Sequence, residues 1–500
     1  MVTQELHQKL ADLTPQQRDL ALQKLRGRKT GAGDAAPTGG VVPRAQRNGA
    51  APLSFSQQRL WFLDQMEGAN SSYNEFSAQW ITGRLDADAL QASLNDLTAR
   101  HEILRTTFSE VDGAPVQLTA DAGRPQIKTI DLTHLPPRQI EREAMLLAEE
   151  ESKRPFDLER GPLQRVTLVK CSADQCMLMT NMHHIICDNW SSSVFNREMA
   201  LLYGAHAQGQ TPSLPPLPVQ YADFAVWQRK ALSPTRLQAL SEHWKKALEP
   251  LPAPLQLPTD FERPAKQTYI GDNHPVAWER DLNAAVADAG RRYGATPFMA
   301  YLAAYAVLLA RYSCQEEIII GVPIANRNRK ELEPLIGFFV NTLLFKIDLR
   351  GNPAFETLIE RVQNTAADAY AHQDMPLDQL MEPLNVSRDQ PLFRAMFIFQ
   401  NSPQSKLQSP QIRIEPVQMP SNAVRSDIDF YLQEAEGAMQ GSLRYNRDLF
   451  TAAAMAKMAK RLRLALERYV LNPTTPLDDL QFETSCSLPP IRKPSAPFYS

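Results

Sequence analysis

The ten residues MHHIICDNWS, at positions 182–191, place two adjacent histidines, His183 and His184, just ahead of Asp188. The run CMLMTNM before them is typical of a β-strand, and the segment that begins at Ser192 has the apolar spacing of an amphipathic helix. Because successive side chains of a strand point to opposite faces, the two histidines cannot easily bind one metal ion together. Metal sites favour spacings such as HExxH, which bring both imidazoles to one side. The pattern therefore predicts no metal site here.

Two interpretations of the histidines remain. Buried imidazoles usually find hydrogen-bond partners and play a structural role. A strand end that leads into a loop with an acid, however, is a common way to present a catalytic base, and the ordinary imidazole pKa of ~6.5 suits proton transfer near neutral pH. The chain has no GxSxG nucleophile elbow, and Cys187 has no evident base beside it. Direct acyl transfer between two bound substrates is the simpler hypothesis.

The composition indicates a large protein of ordinary surface charge. The 500 residues are 43% hydrophobic and 22% charged, enough for two cores, since a single domain usually stops growing near ~250 to 300 residues. A net charge of -3 gives no basic field for nucleic acid or an anionic membrane. The longest apolar run, residues 299–312, is short of the ~20 residues of a membrane span, and no secretory signal opens the chain. We expect a soluble, cytoplasmic protein without a membrane span.

Helical and strand patterns alternate along the body of the chain. Residues 86–101, 138–153 and 192–207 have the apolar spacing of amphipathic helices. Short β-rich runs are RVTLVK, CMLMTNM, EEIIIGVPI and LFRAMFIFQ. This alternation predicts an α/β fold.

The same patterns divide the chain into five parts. Residues 1–27 are predicted to be a short helical element, and residues 28–52, rich in Gly, Ala and Pro, a flexible linker. A proline-rich stretch before residue 221 is predicted to cross between an N-terminal lobe, residues 53–227, and a C-terminal lobe, residues 228–482. Residues 483–500 are predicted to be a second linker.

Seven motifs in order resemble those of the condensation domains of nonribosomal peptide synthetases, over nearly all of residues 53–482. The motifs are SFSQQRLWFL (54–63), RHEILRTTF (100–108), MHHIICDNWS (182–191), YADFAVW (221–227), IGFFVNTLL (336–344), HQDMPLD (372–378) and SRDQPLF (387–393). HHxxxD alone is shared with several acyltransferase families, whereas all seven in this order are specific.

The resemblance implies a fold and a reaction. It implies two chloramphenicol-acetyltransferase-like lobes in a V-shaped arrangement, with HHxxxD at the middle of a central tunnel. A donor acyl thioester and an amine-bearing acceptor, each on the phosphopantetheine arm of a carrier protein, would enter from opposite faces and form an amide. No permanently bound cofactor is implied. The implied partners are an acyl carrier or acyl-CoA donor and downstream peptidyl carrier and adenylation domains.

The resemblance also implies roles for particular residues. His184 would take a proton from the amine or orient it, with His183 in support, and Asp188 would organise the loop by pairing with Arg59. Asn189, where the family usually has glycine, would line the substrate tunnel together with Trp190 and Ser191. The segment GVPIANRNR (321–329) resembles the loop that bridges the lobes, and we expect its Arg327 and Arg329 to be solvated.

Several subtypes fit this pattern. Because only a short helix and linker precede the body, we expect a starter domain that acylates the first amino acid with a fatty acyl group. An elongating domain with a peptidyl carrier donor, or a non-catalytic module that recruits carrier proteins, is the alternative. An epimerization domain would need an EGHGRE-like segment, a cyclization domain aspartates in place of the histidines, and a plant-type acyl-CoA transferase DFGWG; the chain has none of these.

Overall fold

The computed structural model describes residues 41–477 except 47–48, 122, 124, 265–267, 269, 387–390, 401–411, 418, 420–423 and 436. The predicted helical element at 1–27 and the predicted linker at 483–500 lie outside these residues.

The described part contains ten α-helices and fourteen β-strands. The helices are α1 (Phe55–Glu67), α2 (Ala87–Arg100), α3 (Pro137–Lys153), α4 (Asn189–His206), α5 (Tyr221–Ala231), α6 (Pro234–Leu248), α7 (Arg280–Arg292), α8 (Pro297–Ser313), α9 (Phe355–Ala371) and α10 (Ala452–Leu471). The strands are β1 (Ala50–Pro52), β2 (Asn74–Thr82), β3 (Thr106–Val111), β4 (Ala114–Thr119), β5 (Lys128–Asp131), β6 (Gln164–Lys170), β7 (Gln175–His183), β8 (Gly271–Trp278), β9 (Glu317–Ile324), β10 (Asn341–Asp348), β11 (Ala395–Gln400), β12 (Arg413–Pro416), β13 (Ile428–Ala435) and β14 (Ala438–Asn446). The fold is mixed α/β, as predicted.

Two large sheets define two lobes. The first lobe contains a five-stranded sheet of order β12-β2-β7-β6-β5 and a small sheet of order β1-β4-β3. The second lobe contains a six-stranded sheet of order β10-β9-β11-β13-β14-β8. Most strand pairs are antiparallel, but β5–β6, β9–β11 and β11–β13 are parallel. Each sheet is open, so its edge strands are available to segments that cross between the lobes.

Each lobe has its own hydrophobic core. In the first lobe, α2 and α4 pack together and bury Leu90, Leu94, Val194 and Phe195. In the second lobe, α8 is the central helix, and all its residues from Ala300 to Ala310 are buried. The apolar run at 299–312 is therefore a core helix. Within the described residues, no single helix is both long and apolar enough to cross a membrane.

Two segments of the second half of the chain contribute to the first lobe. Strand β12 pairs antiparallel with β2, where Ile414 lies opposite Ile81, and so extends the first sheet. Residues between β9 and β10, among them Leu332, Leu335 and Phe339, lie in the first hydrophobic core. The predicted C-terminal lobe, 228–482, is therefore not a separate unit in space, because these two crossings close the first lobe.

The boundary between the lobes lies slightly later than predicted. Helix α5 runs without a break across residue 227, with Phe224 in the first core and Leu232, just beyond the helix, in the second. The lobes therefore divide at the end of α5, because the helix needs the first core to bury its apolar face.

The predicted linker at 28–52 is wrong for its last residues. Val42 is 1% exposed, and its backbone N–H donates to the Glu331 carboxylate at 2.8 Å. Ala45 N–H donates to Asp223, and β1 pairs with β4. The small residues that predicted flexibility instead form an edge strand, because β4 offers an unpaired backbone.

The predicted secondary structure agrees closely with the observed elements. Helices α2 and α3 and strands β6, β7 and β9 match the predictions to within one residue. Helix α4 begins at Asn189, three residues earlier than predicted, because the Asp188 side chain accepts from the Ser191 N–H and caps the helix. This cap brings the residues after Asp188 into the helix.

Candidate active site

A cavity of about 1650 Å³ lies between the two lobes. Its first-lobe wall includes Glu75, Ser77, Gln79, His184, Asn189 and Trp190. Its second-lobe wall includes Phe298, Met396, Ile398, Asp429, Tyr431 and Arg444. The HHxxxD segment therefore opens into the space between the lobes, where ligand clefts often lie.

Strands β2 and β7 hold the histidine pair in place. In their antiparallel register Asn74 lies opposite His183, and the His184 N–H donates to the Tyr73 carbonyl at 2.8 Å. The chain then turns through a short 3₁₀ helix, His184–Ile186. The strand ends at His183 and the turn begins at His184, and the two imidazoles leave the sheet in different directions.

His184 reaches the cavity in a defined orientation. Its Nδ1 lies 2.6 Å from the Cys187 carbonyl oxygen, which can only accept, so Nδ1 carries the proton of the neutral ring. The other ring nitrogen, Nε2, is 3.4 Å from a carboxylate oxygen of Glu75, which also lines the cavity. The ring packs beside Phe338, with centroids 4.6 Å apart. A neutral His184 therefore offers a lone pair to a group in the cavity.

His183 is directed away from the cavity and is 3% exposed. Its Nδ1 accepts from the Ile185 N–H at 3.1 Å, which stabilises the turn that carries His184. Its ring lies near Tyr73 and Phe156. Burial, with smaller contributions from His184 and Arg425, lowers the pKa of His183 to about 3. A neutral, buried His183 has the contacts of a structural residue.

The predicted pair between Asp188 and Arg59 is wrong. Asp188 is fully buried, and its Oδ1 lies 3.1 Å from Nη2 of Arg327. Its Oδ2 accepts from the Phe339 N–H at 3.0 Å. Arg59 instead pairs with Asp378 of the second lobe at 3.3 Å, where both side chains are about one-third or more exposed. On α1 the residue that contacts the histidine turn is Gln57, whose Nε2 donates to the Ile185 carbonyl at 3.2 Å.

Arg327 is buried, contrary to the expectation that it is solvated. The whole residue is 9% exposed and its side chain 1%, and its Nη1 donates to the carbonyls of Leu332 and Leu335, both at 2.7 Å. Its guanidinium also lies over the Phe339 ring, 4.0 Å from the centroid. Burial lowers the pKa of Arg327, and Asp188 opposes that shift. Because Arg327 follows Asp188 by 139 residues, no local pattern could indicate the pair.

The three residues predicted to line the tunnel have two different environments. Asn189 and Trp190 line the cavity, and the Trp190 indole N–H donates to the Glu333 carbonyl at 2.9 Å. Ser191 does not line it and is wrong as a tunnel residue, because it is fully buried. Its hydroxyl lies 2.7 Å from both Asp188 Oδ1 and the Gly337 carbonyl and accepts from Arg327. Ser191 therefore joins the HHxxxD loop to the segment between the lobes.

Cys187 has the environment of an inert thiol. It is fully buried, and its Sγ lies 3.3 Å from the hydroxyl of Ser192. Burial raises the pKa of Cys187, with the Ser192 hydrogen bond as a smaller opposing effect. Because the thiolate is the nucleophilic form, these surroundings disfavour a covalent role.

One trio of possible metal ligands occurs in the described residues, and none of its members lines the cavity. It consists of His243, Asp368 and His372. The two imidazoles stack face to face, with centroids 3.3 Å apart and planes at 15°. Because the nitrogen lone pairs lie in the ring planes, stacked rings do not direct them to a common point. Both rings instead contact the Asp368 carboxylate.

Sequence reasoning did not identify Glu75, Arg327 or Gln57 as site residues. Glu75 carried a detectable signal, since Glu75, Ser77 and Gln79 alternate along β2 and all line the cavity. Such polar alternation indicates one solvated strand face, but it does not indicate that a histidine lies beside it.

Comparison with known proteins identifies the fold and the family. The condensation-domain family model matches residues 47–485. The chain is 42% identical over 444 residues to a component of the linear gramicidin synthase of Brevibacillus parabrevis, covering 87% of this chain and 6% of that protein. It is 35% identical over 500 residues to the phosphinothricin tripeptide synthetase PhsC of Streptomyces viridochromogenes, covering 99% of this chain and 46% of PhsC. Thus the chain spans less than half the length of either relative.

The crystal structure of the X-domain from teicoplanin biosynthesis has the same fold. It superposes with a TM-score of 0.80 at 28% identity, over 89% of this chain and all of the X-domain. The two-lobed architecture, the HHxxxD segment at the cavity and the match over residues 47–485 agree with one another. The chain therefore belongs to the condensation domains of nonribosomal peptide synthetases.

Proposed function

We propose that this chain is an acyltransferase that forms an amide between a donor acyl thioester and the amine of a carrier-bound aminoacyl acceptor. The observation that carries the proposal is His184, whose Nε2 lone pair is presented in the cavity between the lobes while the Cys187 carbonyl holds the Nδ1 proton. Such a nitrogen can accept a proton from an attacking amine or orient that amine by a hydrogen bond.

The reaction needs little beyond alignment and proton transfer. The amine nitrogen attacks the thioester carbonyl carbon, the new C–N bond forms, and the C–S bond breaks. The amine loses two protons if it arrives as an ammonium ion, one to His184 and one to the leaving thiolate. Holding both substrates in one cavity converts a reaction between two molecules into a unimolecular step, which can supply much of the acceleration.

The size of the cavity supports two substrates. Drug-sized ligand pockets measure about 300 to 1,000 Å³, and this cavity is larger at about 1650 Å³. The donor and acceptor would each arrive on a phosphopantetheine arm from a carrier protein. In this proposal no cofactor is permanently bound.

We further propose an aminoacyl or peptidyl donor in place of the fatty acyl donor favoured by the sequence. The second-lobe wall carries Asp429, Tyr431 and Arg444 on the cavity face of β13 and β14, beside Met396 and Ile398 of β11. Asp429 is already buried, but a long alkyl chain laid against the half-buried Arg444 guanidinium would remove that charge from water without replacing its hydrogen bonds. A peptide can replace those bonds, and PhsC is named as a tripeptide synthetase.

Mass spectrometry of an aminoacylated carrier protein, incubated with this protein and a panel of donors, tests the proposal. We expect an amide product with aminoacyl or peptidyl carrier donors and loss of at least 100-fold of the rate in His184→Ala. Arg59→Ala, which changes an exposed ion pair at the same cavity, is the matched control and should retain most of the activity.

Other outcomes would revise the proposal. Product only with acyl-CoA donors would assign the starter reaction. Carrier-protein binding without product from any donor would instead assign a recruiting module. Full activity in His184→Ala would remove the proposed role of that histidine.

A further inference from the structure

We propose that Glu75 binds the acceptor as an ammonium ion beside His184 and then pairs with the imidazolium that proton transfer creates. This inference rests on the proposed function and deepens it, because it assigns a residue and a protonation state to the acceptor side of the cavity.

Nε2 of His184 and a carboxylate oxygen of Glu75 lie next to each other at the cavity. In its neutral form His184 carries its one ring proton at Nδ1, toward the Cys187 carbonyl, which leaves a lone pair at Nε2. An oxygen of Glu75 lies 3.4 Å from that Nε2, beyond the 2.7–3.2 Å of a usual hydrogen bond. Two acceptors face each other, and a group with several N–H donors would satisfy both. A primary ammonium ion has three such donors.

Glu75 and His184 are both accessible from the cavity. Glu75 and His184 both line the cavity, and their side chains are 37% and 14% exposed. Within the described part of the chain, His184 is the basic side chain within ion-pair distance of Glu75. The Glu75 carboxylate is therefore open to a substrate while it remains next to the nitrogen that receives the proton.

Strand pairing and hydrogen bonds hold the backbone around Glu75 in place. On β2 Glu75 is paired with Met182, one residue before His183 on β7. Its neighbour Asn74 donates to the carbonyls of Ser152 and Arg154, both at 2.9 Å. The Tyr73 carbonyl accepts from the His184 N–H. Because the same strand holds the Glu75 backbone and the turn that carries His184, the backbone brings the two side chains to the same part of the cavity wall.

Among the charged and titratable groups near Nε2 of His184, Glu75 is the accessible negative one. Asp188 is buried and paired with Arg327, and Cys187 is buried with a raised pKa, so neither offers an accessible negative charge. His183 is neutral because burial lowers its pKa. Arg425 is a positive group near His183. Its guanidinium lies over the Tyr73 ring and donates to the Ser72 carbonyl.

The proton balance of the step is complete. The ammonium ion gives one proton to Nε2 and becomes a neutral amine, and His184 becomes an imidazolium that Glu75 faces. The amine attacks the thioester carbonyl, the C–N bond forms and the C–S bond breaks. The second amine proton passes to the leaving thiolate, which departs as a thiol, and the imidazolium returns its proton to solvent.

The test compares Glu75→Gln with a matched control, Glu110→Gln, which removes the same charge from an exposed position of β3 that does not line the cavity. We expect Glu75→Gln to lower kcat/KM for the acceptor at least tenfold at pH 6.5 and to leave the donor KM unchanged. The deficit should shrink toward pH 9, where an α-amine of pKa ~8 is already neutral. Glu75→Asp should restore part of the activity, and Glu110→Gln should stay within twofold of the wild type.

A binding measurement separates this inference from the proposed function. Calorimetry would compare a stable amide analogue of aminoacyl-pantetheine, bearing a free ammonium group, with its N-acetyl form. We expect the wild type to prefer the ammonium form and Glu75→Gln to lose that preference, even if no donor gives a product. An equal affinity for both forms in the wild type, or a Glu75→Gln deficit that is the same at every pH and for both substrates, would overturn the inference.

Discussion

Asp188 Oδ1 and Arg327 Nη2 lie 3.1 Å apart, and the two side chains are 0% and 1% exposed. The pair joins the HHxxxD loop of the first lobe to the segment that crosses from the second. Removing one partner of such a buried pair leaves an uncompensated charge. The aspartate of the motif therefore has a structural reason to be present that is independent of proton transfer.

Arg327→Ala should lower the free energy of unfolding by about 3–5 kcal/mol, because it leaves the Asp188 carboxylate buried and unpaired. Arg59→Ala should change it by only about 1 kcal/mol, since the Arg59 and Asp378 side chains are 42% and 34% exposed and water partly screens the pair. Urea denaturation of both variants beside the wild type measures the difference. Equal destabilisation by the two substitutions would contradict the assignment of Arg327 as the partner of Asp188.

His183→Asn should make the protein less sensitive to acid. The pKa of His183 is about 3 in the folded state, below the ~6.5 of an unfolded chain, so the unfolded state binds a proton first as the pH falls. The stability from this group is therefore complete above pH 6.5 and is lost progressively toward pH 3. From pH 7 to pH 5 the wild type should lose about 2 kcal/mol more than the variant.

The variant retains the local hydrogen bond that the histidine makes. The asparagine oxygen can accept from the Ile185 N–H as Nδ1 of His183 does. Urea denaturation at the two pH values gives the comparison. Parallel losses in wild type and variant would show that His183 is not the group that titrates.

Asp429→Asn should stabilise the protein at alkaline pH. Burial raises the pKa of Asp429 to about 6, against which the hydrogen bond from Ser426 and the charge of Arg444 act in the opposite direction. Because the folded state retains the proton longer, stability from this group is present below the unfolded value of ~3.9 and is lost as the pH rises through 6. Between pH 5 and pH 8 the wild type should lose about 1–2 kcal/mol relative to Asp429→Asn. A constant difference between the two proteins at both pH values would argue against this titration.

Gly337→Ala should disturb the crossing segment beside Asp188. A Cβ at residue 337 would lie 1.9 Å from Cδ2 of Tyr221, a fully buried ring whose hydroxyl donates to the Phe338 carbonyl. Overpacking of this kind typically costs about 1–3 kcal/mol, and here the contact is too short to relax without moving the ring.

Gly204→Ala is the matched control for Gly337→Ala. Gly204 lies within α4, and no atom would lie within 4 Å of its new Cβ. Alanine favours a helix over glycine by about 1 kcal/mol, so this variant should be as stable as the wild type or more so. Thermal and urea denaturation of both variants measure the effect, and a stable Gly337→Ala protein would show that the Tyr221 contact is not tight.

Local periodicity predicted three of the ten helices and four of the fourteen strands in the described residues. Helices α2 and α3 and strands β6 and β7 follow from apolar spacing alone, because each buries one face against its own lobe. The motif order was sufficient to predict the family and to select His184, which does line the cavity. The start of α4 was misplaced because the capping side chain, Asp188, was interpreted only as a site residue.

The tertiary structure alone decided how the site is held together. The partner of Asp188 is Arg327, 139 residues later, and the same contact buries an arginine that sequence reasoning placed in solvent. Strand β12 completes the sheet of the other lobe, and Glu75 reaches His184 from a neighbouring strand. Sequence determines which residues can form a helix, a strand or an ion pair, because those preferences act over a few residues. Which distant groups meet depends on how the lobes fold and cross, because a buried charge pairs with the opposite charge that the fold places beside it.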